Sequence, residues 1–238
     1  MGFSDHLLDV GSDLWAAQRR HPFVTELADG SLSEAAFRTW IEQDYRYLLD
    51  YARTFAVLGA KADEEATMAH CFEVANAIVD DEMELHRSFA ADYGLTSEDL
   101  AAVSKAPTCE AYTNYLLRTA RERPLAVGAA AIYPCGRGYL DVAEHMADLA
   151  TEEHRYTPFV EKYTGDAFRE SVAWMGEFVD RCADRHPSLH EEMEAAFLRC
   201  AELEHAFWEM AYTEESWPHE RATDRDGARA AGSAGEGV

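Results

Sequence analysis

Lysine is nearly missing from this chain of 238 residues: Lys61, Lys105 and Lys162 are the only three, and the other 18 basic residues are arginine. Basic charge as a whole is scarce, with 21 Lys+Arg against 45 Asp+Glu and a formal net charge of -24. That shortage argues against nucleic-acid binding, which needs a basic face to neutralise phosphates, and against docking on an anionic membrane. Long apolar runs are also absent, and none approaches the roughly 18 residues of a membrane span. The beginning, Met1-Gly-Phe-Ser-Asp-His6, lacks the basic-then-apolar pattern of a secretory signal. The expectation is a soluble, cytoplasmic protein. Cysteine is limited to Cys71, Cys109, Cys135, Cys182 and Cys200. An odd number at long spacings, without Cys-x-x-Cys, excludes a disulfide framework or zinc ribbon. Strand signals are missing too: there is no long Val/Ile/Thr alternation and no Asn-Gly hairpin.

What is present is a core. Hydrophobic residues make up 47 % of the chain, with 11 Tyr, 11 Phe and 5 Trp, enough to exclude intrinsic disorder. The acid excess with few lysines reads as adaptation to a salt-rich cytoplasm. At such charge the folded state repels itself, and molar salt shortens the Debye length to about 3 Å. Helix signals run throughout. Ser31-Leu-Ser-Glu34 reads as a capping box, followed by apolar spacing through Phe37, Trp40, Ile41, Tyr47 and Leu48. Residues 63–93 form one long helical pattern that Gly94 stops, and Thr96-Ser-Glu-Asp99 opens a short helix. Pro107-Thr108 starts another, to about 123, and a small-residue helix spans 126–149. Helices over 152–163 and 166–183 follow, and Ser188-Leu-His-Glu191 caps the last one, to about 212. The expectation is one all-α domain, a multi-helix bundle over 1–215, with a disordered acidic and Ala/Gly-rich tail over 216–238.

Three constellations carry chemistry. The first is Ile132-Tyr-Pro-Cys-Gly-Arg-Gly-Tyr139. If Pro134 marks a helix start, Cys135 lies in a first turn, where amide dipoles favour a thiolate. The other reading is a buried free cysteine in a small-residue helix. The second is Glu42-Gln-Asp44-Tyr-Arg-Tyr47 with Tyr51, which places Asp44, Tyr47 and Tyr51 on one helical face. Asp44 is then a solvated acid beside core aromatics, or an inward acid that meets a cationic or amidine-like ligand. The third is Glu202-Leu-Glu204-His205-Ala-Phe-Trp208, where Glu204 shares its side of the helix with Phe207 and Trp208. A carboxylate packed among aromatics has a raised pKa suited to proton transfer, whereas an acidic helix in an acidic protein needs no such role. Glu82 with His86, Glu153 with His154 and Glu204 with His205 bring carboxylates near imidazoles. No Glu-x-x-His recurs in duplicate, as a di-metal bundle requires. Glu82 and His86, at i, i+4, read as a structural hydrogen-bonded pair or pocket support.

Taken in order, His21-Pro-Phe, Gln43-Asp44-x-x-Tyr47, Glu82-x-x-x-His86, Pro107-Thr-x-x-x-Tyr112, Tyr133-Pro-Cys135-x-x-x-Tyr139, Tyr163 and Glu204-x-x-Phe207-Trp208 resemble the TenA (thiaminase II) family over about residues 5–213. The resemblance implies an all-α fold similar to haem oxygenase, a homotetramer, and no metal or organic cofactor. It implies hydrolysis of 4-amino-5-aminomethyl-2-methylpyrimidine to the 5-hydroxymethyl pyrimidine and ammonia in thiamin salvage, with slower cleavage of thiamin. Cys135 places the chain in the branch with a cysteine nucleophile. By the same resemblance Glu204 is the acid/base and Asp44 holds the amidine edge of the pyrimidine. Tyr47, Tyr112, Tyr139 and Tyr163 line the pocket, with Tyr139 and Tyr163 near the thiol and Glu204, and Phe207 forms a wall. The chain departs from the family pattern at His205, where Tyr is expected, and at Arg137, where an apolar residue is usual. The alternatives are a metal-dependent oxidase of the same fold and a non-catalytic regulator.

Overall fold

A computed structural model describes residues 2–149 and 152–219. Among these residues every regular element is helical. Three short helices open the chain: α1 (Phe3–Val10), α2 (Ser12–Arg19) and α3 (Pro22–Asp29). They are followed by α4 (Glu34–Lys61), α5 (Glu65–Ala77), α6 (Met83–Asp92), α7 (Ser97–Ala102) and α8 (Pro107–Glu122). The last four are α9 (Leu125–Leu149), α10 (Thr157–Thr164), α11 (Asp166–Arg185) and α12 (His190–Tyr212). No helix among the described residues is long and apolar enough to cross a membrane.

Local chemistry explains the boundaries, and some differ from the sequence expectation. The cap of α4 is Ser33, whose hydroxyl accepts from the Ala36 amide; Ser31 lies outside the helix. Thr96-Ser-Glu-Asp99 opens α7 as expected, with Thr96 and Asp99 forming a capping box. Gly94 ends α6 at φ 72, a conformation that costs glycine little. The Leu95 amide then reaches back to the Ala90 carbonyl and closes the end. The 63–93 pattern is one helical rod with a defect: α5 and α6 are joined by a π-helical turn, Ile78–Glu82. Ser188 does not cap α12; a 3₁₀ turn, Pro187–Leu189, leads into that helix without a side-chain cap. The helix expected over 152–163 is confined to α10. The tail expected over 216–238 lies outside the described residues from 220 onward; within its described part the Trp217 indole donates to the Lys105 carbonyl at 2.9 Å, so this stretch is tied to the body of the protein.

The core is organised around α9, which packs against α12, α11, α10 and α8, while α4 packs against α5 and α8. Alanine and glycine dominate the first half of α9, where seven consecutive residues from Ala126 to Ile132 are buried. Small side chains let backbones approach closely on several sides at once. Pro134 lies inside this helix, not at its start. The helix runs through it, and the Tyr51 hydroxyl donates to the nearby Ile132 carbonyl at 2.9 Å. Aromatic side chains fill the remaining volume. Phe37 is 2 % exposed, with its ring 4.6 Å from Tyr156 and 5.3 Å from Trp40. Phe37→Ala would leave a cavity there that the flanking rings cannot close. We expect a loss of about 3–5 kcal/mol, read as a lowered unfolding midpoint in denaturant.

Candidate active site

Four long or central helices bring the sequence-predicted residues together. Asp44, Tyr47 and Tyr51 come from α4, Tyr112 from α8, Cys135 and Tyr139 from α9, and Glu204 and Phe207 from α12. Tyr163 comes from α10. All are buried. A cavity of about 530 Å³ opens beside them, lined by Asp44, Tyr47, Cys135, Tyr139 and Tyr163, with Tyr51 and Met175. Tyr112, Glu204 and Phe207 stand behind this lining and do not form its surface. The mouth is built by the α5–π–α6 rod and the α10–α11 turn, through Glu73, Asp81, Glu82, Lys162, Asp166 and Glu170.

Cys135 is ten residues into α9, so the first-turn reading does not hold. No free helix N-terminus stabilises a thiolate there. Burial pushes the thiol well above its usual range, and the negative charge of Glu204 adds to this. The Tyr47 and Tyr51 hydroxyls beside it work in the opposite direction without reversing the shift. Among the described residues the buried Tyr47 hydroxyl has no hydrogen-bond partner of good geometry, although it lies against the Cys135 thiol. Cys135 therefore rests as a thiol.

Glu204 stands next to it. Burial raises this carboxyl to about 8, while the Tyr112 hydroxyl, which donates to Oε1 at 2.5 Å, and the Cys135 thiol pull it down. A carboxyl that titrates near neutrality can both take and return a proton. Tyr47 packs on Tyr112 at 4.9 Å and on Phe207 at 5.7 Å, so Phe207 supports the wall from behind.

Asp44 is inward and buried, not solvated. Its Oδ2 lies 2.6 Å from His86 Nε2, and the Tyr139 hydroxyl reaches Oδ1 at 3.3 Å. Burial raises the Asp44 carboxyl, against the pull of His86. Burial also works against an imidazolium at His86, but the hydrogen bond and charge of Asp44 outweigh it and raise its pKa. Glu82 and His86 form the expected hydrogen-bonded pair through the backbone: His86 Nδ1 meets the Glu82 carbonyl at 2.9 Å. The Glu82 carboxylate faces the mouth, where it accepts from the Tyr163 hydroxyl at 2.8 Å and pairs with Lys162 at 3.3 Å. Tyr163 is thus tied to Glu82 rather than to the thiol–Glu204 pair, although its ring packs on Tyr139 at 4.9 Å.

The two departures fall outside the cavity lining. Arg137 extends to Asp141 at 3.7 Å, an acid that Arg19 also holds. His205 packs edge-on against His21 at 5.3 Å. Trp40, one turn before Asp44 on the same face, reads in the sequence only as part of the apolar stripe; its indole donates to the Tyr139 hydroxyl at 3.0 Å. Its i, i+4 spacing from Asp44 was the available signal. Among the described residues no three His, Cys, Asp or Glu side chains gather in a way that would hold a metal ion.

Residues 12–214 match the model of the TENA/THI-4/PQQC family. The chain belongs to this family. It is 34 % identical to an aminopyrimidine aminohydrolase of Halalkalibacterium halodurans over 220 residues, 91 % of this chain and 98 % of the relative. A protein of the same name from Bacillus subtilis is 28 % identical, with 91 % of this chain and 92 % of the relative covered. The TenA homologue of P. horikoshii superposes with a TM-score of 0.84 at 27 % identity, over 90 % of this chain and 99 % of that one. A Shewanella denitrificans domain with a heme oxygenase-like fold superposes at 0.71 with 15 % identity, a likeness of fold alone. Family membership and fold agree with the expected all-α bundle.

Proposed function

We propose that this protein is an aminopyrimidine aminohydrolase of thiamin salvage. In this reading it hydrolyses 4-amino-5-aminomethyl-2-methylpyrimidine to the 5-hydroxymethyl pyrimidine and ammonia. The supporting observation is that Cys135 and Asp44 line one aromatic cavity while Glu204 stands behind the lining beside the thiol, the three coming from three different helices. Relatives that bear this activity in their names match nearly the full chain. Glu204 takes the Cys135 proton as the sulfur adds to the pyrimidine ring, then returns a proton to the departing amine. Water adds at the exposed methylene with Glu204 again as base, and the thiol leaves. Covalent addition replaces one difficult displacement by two easier steps. Asp44 holds the amidine edge, and Tyr47, Tyr139 and Tyr163 line the ring's site, with Tyr112 and Phe207 behind them. Thiamin is a second substrate at the same methylene, because the cavity continues past the ring to a mouth whose carboxylates suit a cationic leaving group. Ammonia release from the aminomethyl pyrimidine tests the reading. No release by folded protein would overturn it.

The reading extends to the cell and the assembly. We assign the chain to the cytoplasm of a salt-adapted organism, as a homotetramer of one domain over 1–215, without partners among nucleic acids or membranes. The charge of -24 supports the salt adaptation. Diluting KCl from molar to about 0.05 M lengthens the range of charge repulsion. The melting temperature should therefore fall by several degrees. An unchanged melting curve would remove the salt-adaptation reading.

A further inference from the structure

We infer that this site takes its aminopyrimidine as the ring-protonated cation, and that His86 is the positioning residue that imposes this choice through Asp44. The inference rests on the aminopyrimidine reading above. It follows from counting donors and acceptors. His86 Nδ1 lies 2.9 Å from the Glu82 carbonyl, which has no hydrogen to give, so Nδ1 carries one. His86 Nε2 lies 2.6 Å from Asp44 Oδ2, and two lone pairs cannot face each other at that distance. One proton therefore sits on this bond, whether as imidazolium to carboxylate or as carboxyl to imidazole, and Oδ2 is committed. Oδ1 is fixed by a second chain. The Trp40 indole can only donate, and it reaches the Tyr139 oxygen at 3.0 Å. The Tyr139 hydrogen is then left to point at Oδ1, 3.3 Å away. Toward the cavity Asp44 thus offers lone pairs and no hydrogen.

A neutral 4-aminopyrimidine presents one donor, the amine, and one acceptor, the ring nitrogen, along its amidine edge. Against Asp44 the ring nitrogen would meet a second acceptor in a buried site, which costs the desolvation of both. Protonation turns that edge into two donors, an amidinium that matches a carboxylate. The charge around the site suits a cation, since the mouth carries Glu73, Asp81, Glu82, Asp166 and Glu170 against Lys162. The proton also serves the chemistry. When Cys135 adds to the ring carbon conjugated with that nitrogen, the displaced electron pair ends on an N–H already in place. The thiol proton goes to Glu204, and the adduct is a neutral enamine. The groups that titrate around Asp44 are His86 and Glu82 from the α5–π–α6 rod, Cys109 from α8, Cys135 and Tyr139 from α9, Tyr163 from α10 and Glu204 from α12.

The test is calorimetric binding of the product, 4-amino-5-hydroxymethyl-2-methylpyrimidine, at pH 8 in buffers of different ionisation enthalpy. Glu204→Gln serves as background, because Glu204 is the other group that takes up a proton there. We expect about one proton taken up per ligand. Above the ligand's own pKa, Kd should weaken about tenfold per pH unit, and the ring-¹⁵N signal of labelled ligand should be that of N–H. In His86→Leu the unpaired Asp44 becomes a carboxylic acid that donates to a neutral ring, so uptake and pH slope should both vanish. A merely structural role for His86 would weaken binding without changing the slope. If His86→Leu does not fold, the proton count and ¹⁵N signal of the native site still decide. An unprotonated ring nitrogen with no uptake overturns the inference while ammonia release keeps the function. Neither binding nor ammonia release overturns both.

Discussion

Cys135→Ala should abolish ammonia release from the aminomethyl pyrimidine, with a fall in kcat of at least about 10³-fold. The variant should fold, because the site is a partly lined cavity and alanine is already the commonest neighbour on α9. Cys135 lies mid-helix, buried, beside a carboxyl and without a neighbouring cation, so it is protonated at rest. Its reactivity must be induced. Alkylation by iodoacetamide should be slow at pH 7 in native protein and should not accelerate greatly until the pH passes that of an ordinary thiol. A thiol that alkylates rapidly at pH 7 would mean a resting thiolate and a mechanism in which Glu204 is not the base. Retained activity in Cys135→Ala would keep the hydrolase and leave Glu204 to activate water directly.

Much of this site was legible along the chain, and the reasons are physical. The residues that converge are those whose chemistry is costly to bury: Asp44 at an inward helical position, Glu204 a turn from Phe207 and Trp208, and a cysteine among glycines. Helical periodicity grouped Asp44 with Tyr47 and Tyr51, and Glu204 with Phe207 and Trp208, but left open whether either acid faces inward; the ordered motifs of the family resemblance singled these residues out. Periodicity could not say which faces meet, because that depends on how α4, α8, α9 and α12 pack. Hence the i, i+4 spacing shows that His86 pairs with Glu82, which it does through the Glu82 carbonyl, but not that its second partner is Asp44, 42 positions away. Pro134 misled for a related reason. Proline favours helix starts because it lacks an amide hydrogen. Inside α9 the tight small-residue packing outweighs that preference, and the helix continues past it. The π turn at Ile78–Glu82 left no sequence signal of its own, yet it brings Asp81 and Glu82 to the mouth. Insertions of this kind within helices recur at functional sites.

Glu204→Gln carries the second large effect, and it separates function from stability. As the group that takes the thiol proton, Glu204 should cost about 10²–10⁴-fold in kcat when replaced by an amide. In the native enzyme kcat, read at saturating substrate so that the ring's own titration drops out, should rise with pH as the Glu204 carboxyl, raised to about 8 in the empty site, ionises. The glutamine variant should lose that limb. Stability should move the other way. A carboxyl raised from its ordinary 4.5 to about 8 binds its proton more tightly in the folded state than in the unfolded one. Between those pH values the folded protein holds more protons, so its stability falls as pH rises, and the fall ends above about 8. The substituted amide does not titrate, and its oxygen can still accept from Tyr112. The variant should therefore match the native protein near pH 4 and exceed it by several kcal/mol at pH 9, measured by denaturant unfolding of both across that range. Equal stabilities at pH 9 would mean that the site holds an ionised Glu204 without cost, and a carboxylate so placed would have no reason to take a proton from a buried thiol.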